Sequence, residues 1–477
     1  MGAMGLTLSR SGFLLTLAMS LGAVPTSGDA RMQHALPGVE LPARIESMIA
    51  GEAWQESWVG IVVMRPDGTV LYERMADVRM VPASNQKVLS AVFALDTFGP
   101  DYRPETKFWK EGDDIWVDAV GDPSLTSVQF AELRARFKPS PKSRVFVRSA
   151  FGDGYGPGWE YDDLPFRYAP RVTAFSADRA QFEVTHANGI VKAPAWAGVQ
   201  VRHEPGLADA TATFDREKRV VTVLGRLKAD TPLVARFAQP DPTMSAALML
   251  GGKLIRTDKV PDRAPDYIHK GDDMRTWVKN CLEPSDNLLA EMLLISAASK
   301  RTPLGTAPYA KAQAELTKFM TETVGVKKGA VRPDDGSGLS RHNLVSPRAL
   351  AQVLRHAYSS PYRDVFVDGL PQSGEGTLRT RLKGMAVSAK TGSLDVVSAL
   401  SGYVHGKDDE SLIFSIMLNH HVVSTAQARE LQDTIVGELL AWLDSERFYE
   451  REYVWCGSVE KDVSDPRTFA FADHRLR

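Results

Sequence analysis

Two strand pairs, one towards each end of the chain, constrain the fold more than any other feature. Residues 58–74 read as a hairpin: Val59, Ile61, Val62 and Val63 run into Pro66-Asp67-Gly68, and Val70, Leu71 and Tyr72 return. Ala399–His405 and Ser411–Asn419 read as two further strands joined by the polar Gly406-Lys407-Asp408-Asp409-Glu410. Helical periodicity lies between and beyond them. Val88, Leu89, Ala91, Val92, Ala94 and Leu95 form one apolar face, and Leu288, Leu289, Met292, Leu293 and Ile295 another. A last helix is expected from about Ala426 to Leu443, with Leu431, Ile435, Leu439, Leu440 and Leu443 on one side. This order predicts an α+β fold, an antiparallel sheet covered by helices, whose core is assembled from both ends of the chain.

The middle of the chain reads differently. Arg144–Val147, Ala210–Phe214 and Arg219–Leu224 look like strands, with Asp215-Arg216-Glu217-Lys218 as a turn between the last two. Residues 104–261 are therefore taken as an inserted β-rich segment, leaving a discontinuous core of 31–103 and 262–444. Residues 445–477 are charged and weakly periodic, and are read as a tail.

A formal net charge of −2 argues against a nucleic-acid binder, which normally presents a basic face. The first 30 residues resemble an export signal. Arg10 precedes an apolar stretch from Gly12 to Val24, and Gly28 and Ala30 are small residues suited to cleavage, giving a mature chain from near Arg31. The stretch is too short for a span, which takes about 20 residues. A periplasmic or secreted protein without an integral membrane segment is expected. Cys281 and Cys456 could pair in an oxidising compartment or stand as separate thiols. No Cys or His spacing suits a zinc site, adjacent His420 and His421 suit a strand end, and no cofactor is expected.

Three short strings carry chemistry: Ser84-Asn85-Gln86-Lys87, Ser285-Asp286-Asn287 and Lys390-Thr391-Gly392. Each is weak alone. Ser458 to Lys461 repeats the Ser-x-x-Lys spacing without a helix behind it. In order and in context, the three supply an activated serine, a polar proton relay and a carboxylate-binding strand, the parts of a serine acyl-transferase acting on D-alanyl peptides and β-lactams. A helix sets Ser84 and Lys87 on one face. Lys87 can take the serine proton only when neutral, and burial beside a second cation, Lys390, favours that form. Ser285 and Asn287 can relay the proton and hold the substrate amide. Lys390 and Thr391 can bind a terminal carboxylate, and Gly392 leaves room for a peptide to add beside an edge strand. The backbone N–H groups of Ser84 and Ser393 are the expected oxyanion donors.

With these motifs the chain resembles the class C low-molecular-mass penicillin-binding proteins, the D-alanyl-D-alanine carboxypeptidase/endopeptidases. The likeness extends to Gly121-Asp122-Pro123-Ser124-Leu125-Thr126, to Tyr155-Gly156-Pro157-Gly158-Trp159 followed by Asp162-Asp163, and to Asp335-Gly336-Ser337-Gly338-Leu339-Ser340-Arg341. It includes Leu370-Pro371 with Gly374, Gly376, Thr377 and Leu378, and the run from Ser285 to Leu293. It covers roughly residues 36–443. It implies a penicilloyl-serine transferase domain interrupted by two β-rich domains, the second nested in the first. It also implies attack by Ser84 on the bond between two D-alanines of a peptidoglycan stem peptide, and covalent inhibition by β-lactams. By the same resemblance, Asp163 and Arg341, with Tyr168 as a wall, line a pocket for a meso-diaminopimelate side chain, and Asp395 falls close to that pocket. The alternatives are a β-lactamase-type hydrolase, or a secreted penicillin-binding sensor or scaffold with little turnover.

Overall fold

The computed structural model describes residues 40–457 except 229–231, 304, 306, 307, 408 and 409, with side chains only to residue 445. The expected export signal lies outside the described residues, as do the side chain of Cys456 and everything beyond residue 457.

The two strand pairs meet in one antiparallel sheet, ordered Val387–Leu394, Val397–His405, Ser411–Asn419, Trp58–Met64, Val70–Arg74. Ile61 pairs with Ile416, and Ile416 with Leu400, so the N- and C-terminal parts form adjacent rows of one core. Alternation decides which face each residue serves. Val59, Ile61, Val63, Leu412, Phe414, Ile416 and Leu418 pack against the helices Leu41–Ile49 and Thr425–Gly457. Val62, Met64, Ile413, Met417 and Tyr403 face the opposite way, against Gln86–Phe98, Asn287–Arg301 and Pro347–Tyr358. With helices on both faces the central strands are buried throughout, hence their nearly unbroken apolar runs. The helix Gln86–Phe98 lies deepest: every residue from Gln86 to Leu95 is buried, and Gly99, at a φ of 78°, ends it. The final helix continues to Gly457, past the Leu443 at which the apolar stripe stops.

The insertion reaches further along the chain than the sequence expectation. Its first sheet is ordered Lys253–Arg256, Arg144–Ser149, Asp114–Ala119, Glu105–Glu111, Tyr267–Lys270, so pairing carries it past residue 261. Tyr267–Lys270 is a four-residue edge strand with one buried side chain, too little apolar pattern to be seen in sequence. This sheet mixes parallel and antiparallel pairs. Its parallel pairs require crossovers, supplied in part by the helices Ser127–Phe137 and Pro242–Leu250. Between Ser149 and Pro242 lie two three-stranded sheets that share Phe182, Val184, Phe214, Val221, Val223 and Phe237 as their core. Among the described residues, no helix is long and apolar enough to cross a membrane.

Candidate active site

Ser84 sits in the 3-10 turn Ala83–Asn85 that leads into the central helix, and stays partly exposed between buried neighbours. Lys87 and Lys390 are fully buried. Lys87 Nζ lies 3.0 Å from Ser84 Oγ, 2.7 Å from Asn287 Oδ1 and 2.7 Å from the Ser337 carbonyl. The last two partners only accept. A neutral amine would give both its N–H bonds to them and direct its lone pair at the serine hydroxyl. Burial pushes Lys87 below its usual range, against the pull of Asp335, Glu291 and Asp286. The neighbouring Cys281 thiol is itself pushed up to about 12 by burial, so it stays protonated and adds no charge at neutral pH.

Lys390 Nζ donates to Ser285 Oγ at 2.9 Å and to the Thr391 carbonyl at 3.0 Å. Sequence reasoning made Lys390 the standing cation. Burial first, and Lys87 second, push it well below its ordinary value. Thr391 Oγ1 donates to Thr377 Oγ1 at 2.8 Å, which brings the Gly-Thr-Leu motif beside Lys-Thr-Gly. At Gly392 a β-carbon would lie 2.8 Å from the Pro82 carbonyl and 3.1 Å from the Ser84 nitrogen. Glycine is what allows the edge strand to lie against the serine turn. Ser393, next along, is exposed, and Arg429 donates to its hydroxyl at 3.5 Å.

A buried brace, which the sequence motifs contain without disclosing its purpose, holds these groups. Glu291, on the helix that follows Ser-Asp-Asn, accepts from the Gly336 and Ser337 N–H groups, each at 2.8 Å. Asp335 accepts from Gly338 N at 2.7 Å, Ser340 N at 2.8 Å, Asn343 Nδ2 at 2.7 Å and Trp159 Nε1 at 2.9 Å. The loop is thereby fixed with the Ser337 carbonyl facing Lys87. Burial and the nearby Asp335 push the Glu291 carboxyl up to about 8. The Tyr-Gly-Pro-Gly-Trp motif contributes the indole on Asp335, whereas the Gly-Asp-Pro-Ser-Leu-Thr motif is structural: Asp122 accepts from Ser124, and Thr126 caps the following helix.

Asp163, Arg341 and Tyr168, expected to line a side-chain pocket, each have partners of their own. Asp163 accepts from the Tyr168 hydroxyl at 2.6 Å, and this bond together with burial holds the phenol protonated. Arg341 does not pair with Asp163. It lies 3.6 Å from Glu160 and 3.8 Å from Asp395, and donates to the Asp395 carbonyl at 3.0 Å. Glu160 was not among the residues singled out from sequence, although its carbonyl accepts from the Asp163 N–H and so sets it on the same turn. Tyr168 also reaches the centre through its backbone, its carbonyl accepting from Asn287 Nδ2 at 2.9 Å. Cys281 is a buried free thiol. Among the described residues, no group of three or more His, Cys, Asp or Glu could hold a metal ion.

The sequence matches the D-Ala-D-Ala carboxypeptidase 3 (S13) family over residues 41–225 and 243–441. The chain belongs to that family. It is thus a class C low-molecular-mass penicillin-binding protein and a serine-type D-Ala-D-Ala carboxypeptidase. The enzyme is 28% identical over 467 residues to a D-alanyl-D-alanine carboxypeptidase of Actinomadura sp. strain R39, covering 84% of each chain. It is 25% identical over 412 residues to the D-alanyl-D-alanine carboxypeptidase DacB of Haemophilus influenzae, covering 75% of this chain and 84% of the relative. The crystal structure of penicillin binding protein 4 (dacB) from Haemophilus influenzae superposes with a TM-score of 0.69 at 22% identity, over 84% of this chain and 99% of that one. A crystal structure of that protein complexed with a β-lactam superposes with a TM-score of 0.63 at 20% identity, over 84% of this chain and 99% of that one. The enzyme therefore has the penicilloyl-serine transferase fold.

Proposed function

We propose that the enzyme cleaves D-alanyl-D-alanine ends of peptidoglycan stem peptides, and D-alanyl cross-bridges, through an acyl-enzyme on Ser84. The carrying observation is the placement of Lys87: its amine faces Ser84 Oγ at 3.0 Å while two fixed acceptors occupy its N–H bonds. Ser84 Oγ attacks the penultimate D-alanine carbonyl and its proton passes to Lys87. The N–H groups of Ser84 and Ser393 hold the oxyanion. The C–N bond then breaks, the departing amine takes a proton from Ser285, which is bonded to Lys390, and the proton held by Lys87 restores the Ser285 hydroxyl, leaving Lys87 neutral. Water, deprotonated by the neutral Lys87, attacks the ester; the ester C–Oγ bond breaks and Lys87 returns that proton to Ser84 Oγ. A β-lactam follows the same first step and forms a stable ester.

Lys390 and Thr391 bind the terminal carboxylate. An arriving anion stabilises the charged form of Lys390, opposing the effect of burial. Asn287 holds the substrate amide. Asp163, Arg341 and Tyr168 form the wall for the peptide side chain, and a diaminopimelate group carrying both an ammonium and a carboxylate suits a rim with both signs of charge. The chain up to about residue 103 and the chain beyond the strand Tyr267–Lys270 act as the transferase domain around the insertion, and the first 30 residues direct export to the periplasm or beyond the cell.

The test is penicillin labelling followed by mass spectrometry, with turnover of a D-Ala-D-Ala peptide measured in parallel. The adduct is expected on the peptide containing Ser84, with Ser84→Ala unlabelled and inactive. Labelling elsewhere overturns the assignment. Labelling without peptide turnover favours a penicillin-binding sensor, and rapid loss of the adduct a β-lactamase.

A further inference from the structure

The inserted segment touches the Ser-Asp-Asn motif at its middle residue. Arg179 Nη1 donates to Asp286 Oδ2 at 3.1 Å, while Asp286 Oδ1 caps the following helix by accepting from Leu289 N at 3.0 Å. Asp286 is thus clamped on both sides. Its neighbours are the residues whose placement matters. Ser285 has a φ of 64°, a left-handed conformation that is unfavourable for serine and persists only where the surroundings hold it. Asn287 shares its amide between Lys87 and the Tyr168 carbonyl of the insertion.

Arg179 is itself presented in an unusual way. Asp178, Arg179 and Ala180 have φ values of 52°, 54° and 54°, three successive non-glycine residues in left-handed conformation. The turn is pinned at both ends: Asp178 Oδ1 accepts from Ser127 N at 3.0 Å, Asp178 N donates to the Leu125 carbonyl at 3.0 Å, and the Ala180 carbonyl accepts from Gln239 N at 2.8 Å. Strain held so firmly aims one side chain, and that side chain meets the catalytic motif. Arg179 also lines a cavity of about 640 Å³, together with Thr126, Trp196, Arg236 and Leu289, so small solutes can reach its position.

We infer that Arg179 is a positioning residue of the enzyme, supplied by the insertion, which holds the Ser285-Asp286-Asn287 turn in its reactive geometry. The inference rests on the role proposed above for that motif. Arg179 touches no reacting atom. It acts through Asp286, on whose placement the Ser285 hydroxyl and the Asn287 amide depend. The Arg179 side chain is 38% exposed and its guanidinium remains in contact with water, so loss of Arg179 should be seen far more in rate than in melting.

The full-length enzyme is compared with Arg179→Ala, Arg179→Lys and, as a control on the same cavity wall, Arg236→Ala. Acylation by penicillin and turnover of a D-Ala-D-Ala peptide should fall roughly 10- to 100-fold in Arg179→Ala, in kcat more than in KM, with the melting temperature close to the parent's. Arg179→Lys should recover part of the loss. Guanidinium ion at low millimolar concentration should partly rescue Arg179→Ala but neither the parent nor Arg236→Ala. Arg179→Ala combined with Asp286→Asn should be little worse than the more damaging single change. Parent-like acylation by Arg179→Ala overturns the inference, as do independent losses in the double variant or a rate loss explained by unfolding. Penicillin still labelling Ser84 in Arg179→Ala at the parent rate would defeat this inference alone, whereas labelling that survives Ser84→Ala would defeat the underlying mechanism.

Discussion

The cleft around Lys87 and the rim proposed to recognise the peptide side chain use charge in opposite ways. In the cleft, Lys87, Lys390, Glu291 and Asp335 are buried, and each holds two or more short hydrogen bonds. At the rim, the Arg341 side chain is 39% exposed, its partner Glu160 68% and Asp395 98%, at separations of 3.6 and 3.8 Å. Where water is excluded, each group's position and proton are set by fixed neighbours, and a misplaced partner leaves a buried polar group unmet. Where water enters, charges are screened and rearrange at little cost. The first region suits bond-breaking. The second suits recognition that tolerates variation in the ligand.

The comparison is tested hardest at Lys87. Lys87→Arg keeps the positive charge but cannot act as a base near neutral pH, and acylation should fall by about 10²- to 10⁴-fold in stopped-flow measurements with a chromogenic β-lactam. Acylation at the parent rate would place the base elsewhere.

Gly392→Ala comes next. The added methyl meets the Pro82 carbonyl and the Ser84 nitrogen, so the edge strand must move away from the serine turn. Overpacking of this kind costs about 1–3 kcal/mol, to be read from denaturant midpoints, with acylation slowed as well. An unchanged midpoint and rate would mean that the strand has slack.

A third measurement concerns Glu291. Its folded-state value of about 8 lies above the ordinary 4.5, so the folded chain keeps a proton that the unfolded chain releases. The stability this contributes is fully present below pH 4.5 and is lost as pH rises through about 8. Lys87 and Lys390, both lowered, act with the opposite sign, favouring the folded state as pH rises towards 10.5. The difference between parent and Glu291→Gln isolates the carboxyl. Parent stability should decline relative to the variant across that window, and parallel curves would show that Glu291 is not buried as a neutral acid.

The smallest effects belong to the rim. Asp163→Ala and Arg341→Ala should each change the preference for diaminopimelate-containing over lysine-containing muropeptides by about 1.5- to 5-fold, the range for exposed charge contacts of about 0.2–1 kcal/mol. Larger changes would mean that the substrate closes the rim and dries it. Identical preference in both variants and the parent would remove these residues from recognition.

What could be read without a structure follows from locality. The Ser84-to-Lys87 spacing, the alternating strands and the helical stripes involve residues near one another in the chain, and their chemistry is legible there. The motif Asp335-Gly336-Ser337 was equally visible, but its use was not: it is a backbone carbonyl, Ser337 C=O, that meets Lys87, and no side-chain pattern encodes which carbonyl turns inward. Arg179 carried no signal at all, being one arginine in a turn until the insertion sets it against Asp286. The pairing within the rim was hidden for a related reason. A carboxylate's partner depends on which of several acids on adjoining turns comes nearest, and here Glu160 and Asp395 lie by Arg341 while Asp163 takes the Tyr168 hydroxyl.

The sequence by itself determined the reaction class, the pairing of Ser84, the proposed nucleophile, with its neighbouring amine, and a sheet built from both ends of the chain, because periodicity and short spacings are properties of the local backbone. Only the tertiary structure decided which buried groups hold Lys87 against the serine, how far burial lowers both lysines, and which residues of the insertion grip the Ser285-Asp286-Asn287 turn. Those depend on desolvation and on contacts between segments more than a hundred residues apart, such as Arg179 with Asp286, separated by 107 positions.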